Sequence, residues 1–99
     1  GKATLVVGTH THIPTNDARI LKNGTAYQTD AGMCGDYDSV IGMNKENSLN
    51  RFMKKDSIKH FPSKGEASLS GVIVDCNTEN GLANDIKSFI FGGQLSNNR

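Results

Sequence analysis

Read for its apolar and polar rhythm, the chain opens on "ATLVV", Ala3 to Val7, a continuous apolar run closed by Gly8. Such a run predicts a strand covered on both faces, as in an α/β sheet. Further on, "ARIL" and "TAYQTD" flank Lys22-Asn23-Gly24, and Asn-Gly between two strand-like runs predicts a β-hairpin over residues 18 to 30. From Ala31 to Gly42 the pattern dissolves into small and polar residues with three glycines, which predicts an irregular loop. Asn44 is placed to cap a helix over 45 to 55, whose Leu49, Phe52 and Met53 recur at i, i+3 and i+4 as a narrow apolar stripe. "ASLSGVIVDC" and "GLANDIKSFIF", on either side of a polar turn at Asn77 to Gly81, predict a second hairpin, and the tail from Gly92 onward reads as frayed.

These elements amount to about five strands and one helix, without an internal repeat. One short helix cannot cover a five-stranded sheet, so the architecture implied by the first strand is larger than 99 residues supply. The lack of an initiator methionine reads as a trimmed tag or a piece of something longer, and the expectation is a fragment, or an assembly with other chains. Composition narrows the class. Apolar residues make up 35% and charged residues 21% of the chain, enough for a modest core. Eleven basic and ten acidic residues are interspersed, giving a formal net charge of +1 and no basic stripe to follow a nucleic-acid backbone. The basic stretch Arg51 to His60 reads as a solvated helix face and its exit. Two cysteines without C-x-x-C spacing, Cys34 and Cys76, read as reduced thiols. No run approaches the roughly 20 apolar residues of a membrane span and none resembles a signal peptide, so cytoplasmic residence is expected.

The chemistry gathers at the end of the first strand. In extended backbone His10 and His12 of "GTHTH" would project to one side, and neutral imidazole is the commonest protein nitrogen ligand for metals. Binding sites in open α/β sheets collect at the carboxyl ends of strands. Two imidazoles so placed could serve a dinuclear centre, with one histidine on each ion, or be a loop pair that hydrogen-bonds to threonines and backbone. Other polar residues are weaker candidates. Gly32 and Gly35 could offer backbone amides to a phosphate, or simply turn the loop. Asp36 and Asp38 could be acid–base groups or solvated carboxylates. Asp17 could orient a metal-bound histidine or only start the hairpin. His60 lies in a connector, and Cys34 has no basic neighbour to activate it.

The stretch "VVGTHTHIPTNDARILKNGTAYQTDAGMCGDYDSVIG", followed by a capped helix and "GEASLSGVIVD", resembles the carboxyl-terminal part of the YmdB-type branch of the calcineurin-like metallophosphoesterases, and "GTHTH" resembles their closing G-H-x-H element. The resemblance implies a four-layer α/β sandwich, of which residues 1–99 would be the carboxyl-terminal fragment of a single metallophosphoesterase domain, strand-rich with one main helix. It implies hydrolysis of phosphodiesters such as 2′,3′-cyclic nucleotides and two divalent metal ions, iron or manganese. His10 and His12 fall at the two H-x-H ligand positions. The remaining ligands and the general acid would lie outside this chain, which alone would be inactive. The expected partners are the substrate, the missing amino-terminal part, and a second copy of the chain should the parent form a homo-oligomer.

Two other readings use the same residues. A small metal-binding module would close one zinc site with His10, His12, His60 and a cysteine, although these lack the short paired spacings of structural zinc. A non-catalytic interaction domain would add its strands to a partner, for which an exposed sheet edge is the sign.

Overall fold

The computed structural model describes residues 1–54 and 59–98, which fall into two compact units: Gly1–Met33 with Ser70–Phe89, and Cys34–Leu69 with the chain from Ile90 on. Among the described residues it is sheet-rich with one α-helix, in agreement with an α/β fragment.

The first unit holds a three-stranded sheet. Strand β1 (Leu5–Val7) lies parallel to β3 (Ala26–Gln28), with Leu5 opposite Ala26 and Val7 opposite Gln28, and β2 (Arg19–Ile20) pairs antiparallel on the other side of β3. The hairpin predicted over 18 to 30 is therefore present, with shorter strands. Its turn owes its shape to Asn23 and Gly24, which both take positive φ (79° and 96°), the conformation that Asn-Gly tolerates best. The Leu21 N–H donates to the Thr25 carbonyl and the Gly24 N–H returns to that of Leu21. Arg19 stacks over the Tyr27 ring at 4.8 Å from its centroid.

A second hairpin pairs β4 (Leu69–Cys76) with β5 (Ala83–Phe91), as the apolar runs predict. The Asn77 carbonyl accepts the Gly81 N–H at 2.7 Å, and Gly81 turns the chain at φ 74°. Threads between the two sheets are polar: Thr4 Oγ1 donates to the Gly81 carbonyl and the Ala83 N–H to that of Gly24.

The first strand differs from its prediction. It begins at Leu5, and Val6 and Val7 are 47% and 37% exposed, so the apolar run is not covered on both faces. Among the described residues the buried apolar side chains are Ala26 and Ala83, against buried Thr25, Gln28, Asp30, Asp36, Asn47, Ser68 and Ser70. The interior is held by hydrogen bonds more than by apolar packing. Half-exposed Asp17 belongs to the same polar framework. Its carboxylate takes the Thr29 and Thr15 hydroxyls and the Thr29 N–H, and these donors hold its pKa well below the usual carboxylate range.

In the second unit, α1 (Lys45–Phe52) starts where Asn44 accepts the Asn47 N–H at 2.9 Å. It ends at Phe52, so Met53 and Lys54, placed in the helix by the pattern, lie beyond it. Met53 closes it through its N–H to Leu49, and Lys54 turns to φ 59°. Residues 55 to 58, the last predicted helical position and the middle of the basic stretch from Arg51 to His60, lie outside the described residues. The predicted stripe is not a packing face here: Leu49, Phe52 and Met53 are all exposed. The segment before the helix is irregular, as expected, and organised by Asp36, whose carboxylate accepts the Ser63 hydroxyl and the Asp38 N–H. Those two donors again lower its pKa. The tail holds a turn that the sequence pattern does not signal. Gly93–Asn98 forms a 3-10 helix, entered through Gly92 and Gly93 at positive φ, with the Ser68 hydroxyl on the Gly92 carbonyl.

This polar packing has measurable consequences. Asp17 and Asp36 ionise more readily in the folded chain than at the ordinary aspartate value of 3.8, so each adds stability above about pH 4 that is lost as the pH falls below it toward the folded pKa. Thermal midpoints measured from pH 7 to pH 2.5 should therefore fall most steeply below pH 4, and Asp17→Asn should flatten that slope. A Cβ added at Gly8 would overlap the Thr29 carbonyl oxygen, so Gly8→Ala should cost about 1–3 kcal/mol, read as a lower urea midpoint at unchanged slope.

Candidate metal-binding loop

Strand β1 ends at Val7, and its hydrogen-bond ladder is extended by the Gly8 N–H on the Gln28 carbonyl and the Ala31 N–H on the Gly8 carbonyl. Only a residue without a side chain fits at position 8, because the Thr29 backbone runs directly against it. The chain then leaves the sheet as a loop that carries His10 and His12, both exposed, at the carboxyl end of the strand.

The loop is not extended. His12 adopts φ 69°, a left-handed conformation that histidine tolerates more readily than most residues, so the alternation expected for an extended H-x-H does not set the direction of the two rings. What sets the backbone is Asp30, two residues beyond β3 and only 1% exposed. Its Oδ2 accepts the His10 N–H at 2.7 Å, the Thr11 N–H at 2.6 Å and the Thr11 hydroxyl at 2.9 Å, while Oδ1 accepts the Gly32 N–H at 2.8 Å. The far end of the loop is tied to the same residue: the Thr15 N–H donates to the Asp30 carbonyl, the Asp30 N–H to Thr15 Oγ1, and Gln28 Nε2 to the Asp30 carbonyl at 2.8 Å. The N–H groups of His10, Gly32 and Thr11 hold the Asp30 carboxyl well below the usual carboxylate range, against the opposing effect of burial.

The remaining candidates divide cleanly. Gly32 (φ 87°) and Gly35 direct their N–H groups inward, to Asp30 Oδ1 and to the Ser68 carbonyl, so each is already committed within the fold. A Cβ at Gly32 would lie 2.7 Å from Ser70 Oγ and 2.8 Å from Pro14 Cδ, which accounts for the glycine by close packing. Asp17 binds threonines and Arg19, which makes it the start of the hairpin. Asp36 orders its own loop, and Asp38 pairs with Lys45 at 2.9 Å, both lining a polar recess of about 330 Å³ at the start of α1. His60 is exposed and falls in the second unit, whereas His10 and His12 belong to the first. Cys34 and Cys76 form no disulfide.

Sequence reasoning passed over Asp30. The sign was available in "TDAG": an aspartate followed two residues later by glycine forms an Asx turn, which here consumes one carboxylate oxygen and leaves the other to reach the loop.

Among the described residues no three His, Cys, Asp or Glu side chains are grouped to hold a metal ion, so the closed zinc site of a small module is not formed by them. The two imidazoles have the right donor chemistry for part of a coordination shell, on a backbone fixed in advance, and cannot complete one. Nor is any helix among the described residues long and apolar enough to cross a membrane.

Comparison with known proteins places the chain in a family. The chain is 46% identical over 79 residues to a 2′,3′-cyclic-nucleotide 2′-phosphodiesterase of Bacillus subtilis, and 49% identical over 83 residues to a putative phosphatase/phosphodiesterase of Mycoplasma pneumoniae. Each match takes in 80% of this chain but only 30% and 29% of the relative, so the chain spans under a third of the length of these proteins. A crystal structure of a novel phosphatase from Mycoplasma pneumoniae superposes with a TM-score of 0.81 at 33% identity, covering 97% of this chain and 35% of that one. A hypothetical protein from Thermus thermophilus gives 0.80 at 36% identity, with coverage of 94% and 36%. The model of the YmdB-like protein family matches residues 1–89, and this chain belongs to that family.

Proposed function

We propose that this chain is the carboxyl-terminal portion of a longer metal-dependent phosphodiesterase that hydrolyses phosphate esters such as 2′,3′-cyclic nucleotides, with His10 and His12 as nitrogen ligands to a pair of divalent cations, iron or manganese. The observation that carries the reading is the loop itself: two exposed imidazoles at the carboxyl end of β1, on a backbone held by a buried carboxylate. The activities named for the relatives support the reaction class.

When bound, a pair of divalent cations supplies a water of lowered pKa and neutralises charge on the phosphoryl oxygens. The contribution of this chain is narrower. His10 and His12 would bind through neutral ring nitrogens, and the Asp30 hydrogen bonds would keep residues 10 and 11 from reorganising as they do so. Gly32 serves by letting the backbone close against Ser70 and Pro14, and the amides of Gly32 and Gly35 already have acceptors within the fold. The general acid and the other ligands belong to the remainder of the parent chain. That remainder is also the natural partner for β1, which lies at the edge of its sheet with Val6 and Val7 exposed. The same exposed edge favours a second reading, in which the chain is an interaction domain that lends strands to a partner without any catalytic role.

Two measurements separate these. In the whole parent protein, His10→Ala and His12→Ala should each lower bound metal, read by elemental analysis, and cut turnover of 2′,3′-cyclic AMP by more than about 100-fold, beyond what loss of a supporting residue costs. Full metal content in the double variant would overturn the ligand assignment and leave the interaction domain. Residues 1–99 alone, supplied with manganese, should show no turnover above buffer, and measurable hydrolysis by them would contradict a site shared with the rest of the parent.

A further inference from the structure

We propose that Asp30 is a positioning residue for the metal site, setting the affinity of His10 and His12 for metal through the backbone that bears them. The inference rests on the reading of the two histidines as ligands and adds a residue that touches neither metal nor substrate.

A carboxylate that is 1% exposed needs compensation, and no ion pair among the described residues supplies it. Three N–H groups and one hydroxyl do, and three of those four donors come from two consecutive residues of the histidine loop. Fixing the amides of residues 10 and 11 on one oxygen fixes the intervening peptide plane. That settles where the His10 Cα–Cβ bond points and where the chain enters the left-handed turn at His12. Both carboxylate oxygens are consumed, which leaves Asp30 unsuited to direct coordination.

Loss of this anchor has an entropic cost. An exposed loop between a strand and a hairpin otherwise samples many backbone conformations, and a metal binding to it must first order them. With Asp30 in place that ordering is complete before metal arrives. Asparagine is no substitute, because each Asp30 oxygen faces a donor, and either amide orientation sets an N–H₂ group against one of them. Thr11 offers a gentler probe. Its hydroxyl lies 2.9 Å from Oδ2 on an exposed residue, so Thr11→Val removes one of the four donors and keeps the shape.

The experiment uses the whole parent protein, stripped of metal and titrated with manganese by calorimetry. Asp30→Asn and Thr11→Val should weaken manganese binding by roughly tenfold or more, Thr11→Ser should restore it, and turnover at saturating manganese should return to near the wild-type value. Thr29→Val is the control. It removes a hydroxyl from Asp17 in the same hairpin without touching the histidine loop, and should lower thermal stability while leaving manganese affinity intact. Should Asp30→Asn fail to fold, Thr11→Val decides alone. Wild-type affinity in Thr11→Val, or a loss no greater than that of Thr29→Val, overturns the inference. If His10→Ala and His12→Ala keep full affinity, the ligand assignment has failed; if they lose it while Thr11→Val does not, only the role of Asp30 has.

Discussion

A carboxylate buried beside three backbone amides and a hydroxyl is the interaction on which the first unit depends. Asp30 sits where the central strand β3 gives way to the irregular segment, and through its side chain and its backbone N–H and C=O it joins four parts of the chain: the histidine loop, Thr15, Gln28 and Gly32. A single residue can do this because an ionised carboxylate accepts about four hydrogen bonds, whereas an apolar residue of that size gains only from the area it covers. The parallel neighbours β1 and β3 share no short turn, so something other than local chain geometry must tie their carboxyl ends together. The Gly8 backbone ladder and the Asp30 carboxylate perform that task.

The same economy runs through the molecule. Asp17 gathers Thr15 and Thr29, Asp36 gathers Ser63 and the Asp38 amide, and Ser68 and Ser70 reach the Gly92 and Met33 carbonyls. Buried apolar side chains are few among the described residues, while Phe52, Phe91 and Ile73 are largely exposed. A polar interior of this kind specifies backbone paths closely but supplies less free energy than apolar packing, because each internal hydrogen bond replaces one to water. On the function proposed above, it suits a segment that carries a loop for the rest of a parent chain to complete, and the chain spans under a third of its relatives' length.

Where local chemistry decided the outcome, the sequence was readable. Asn23-Gly24 produced the hairpin turn, Asn44 capped the helix, and the glycine-rich stretch before it stayed irregular. The family resemblance of residues 6 to 42 was legible for the same reason, since a long motif is local information. Where the outcome depended on distant partners, pattern alone misled. Ala3 to Val7 and the Leu49–Met53 stripe read as packing surfaces, yet an apolar pattern states only that a surface can be buried, not that this chain contains what buries it. The tail of small and polar residues gave no periodic signal, and its 3-10 turn forms on glycines in left-handed conformation.

By itself, then, the order of residues determined the element types, the turn chemistry, the family and the pair of imidazoles one residue apart. Tertiary structure alone decided that those imidazoles ride on a left-handed loop instead of an extended strand, and that an aspartate 20 positions from His10 holds the loop in place. The reason is the range of the forces concerned. Propensity and periodicity act within a few neighbours, whereas a buried charge takes its donors from whatever backbone the fold brings within about 3 Å, and no spacing along the chain announces which that will be.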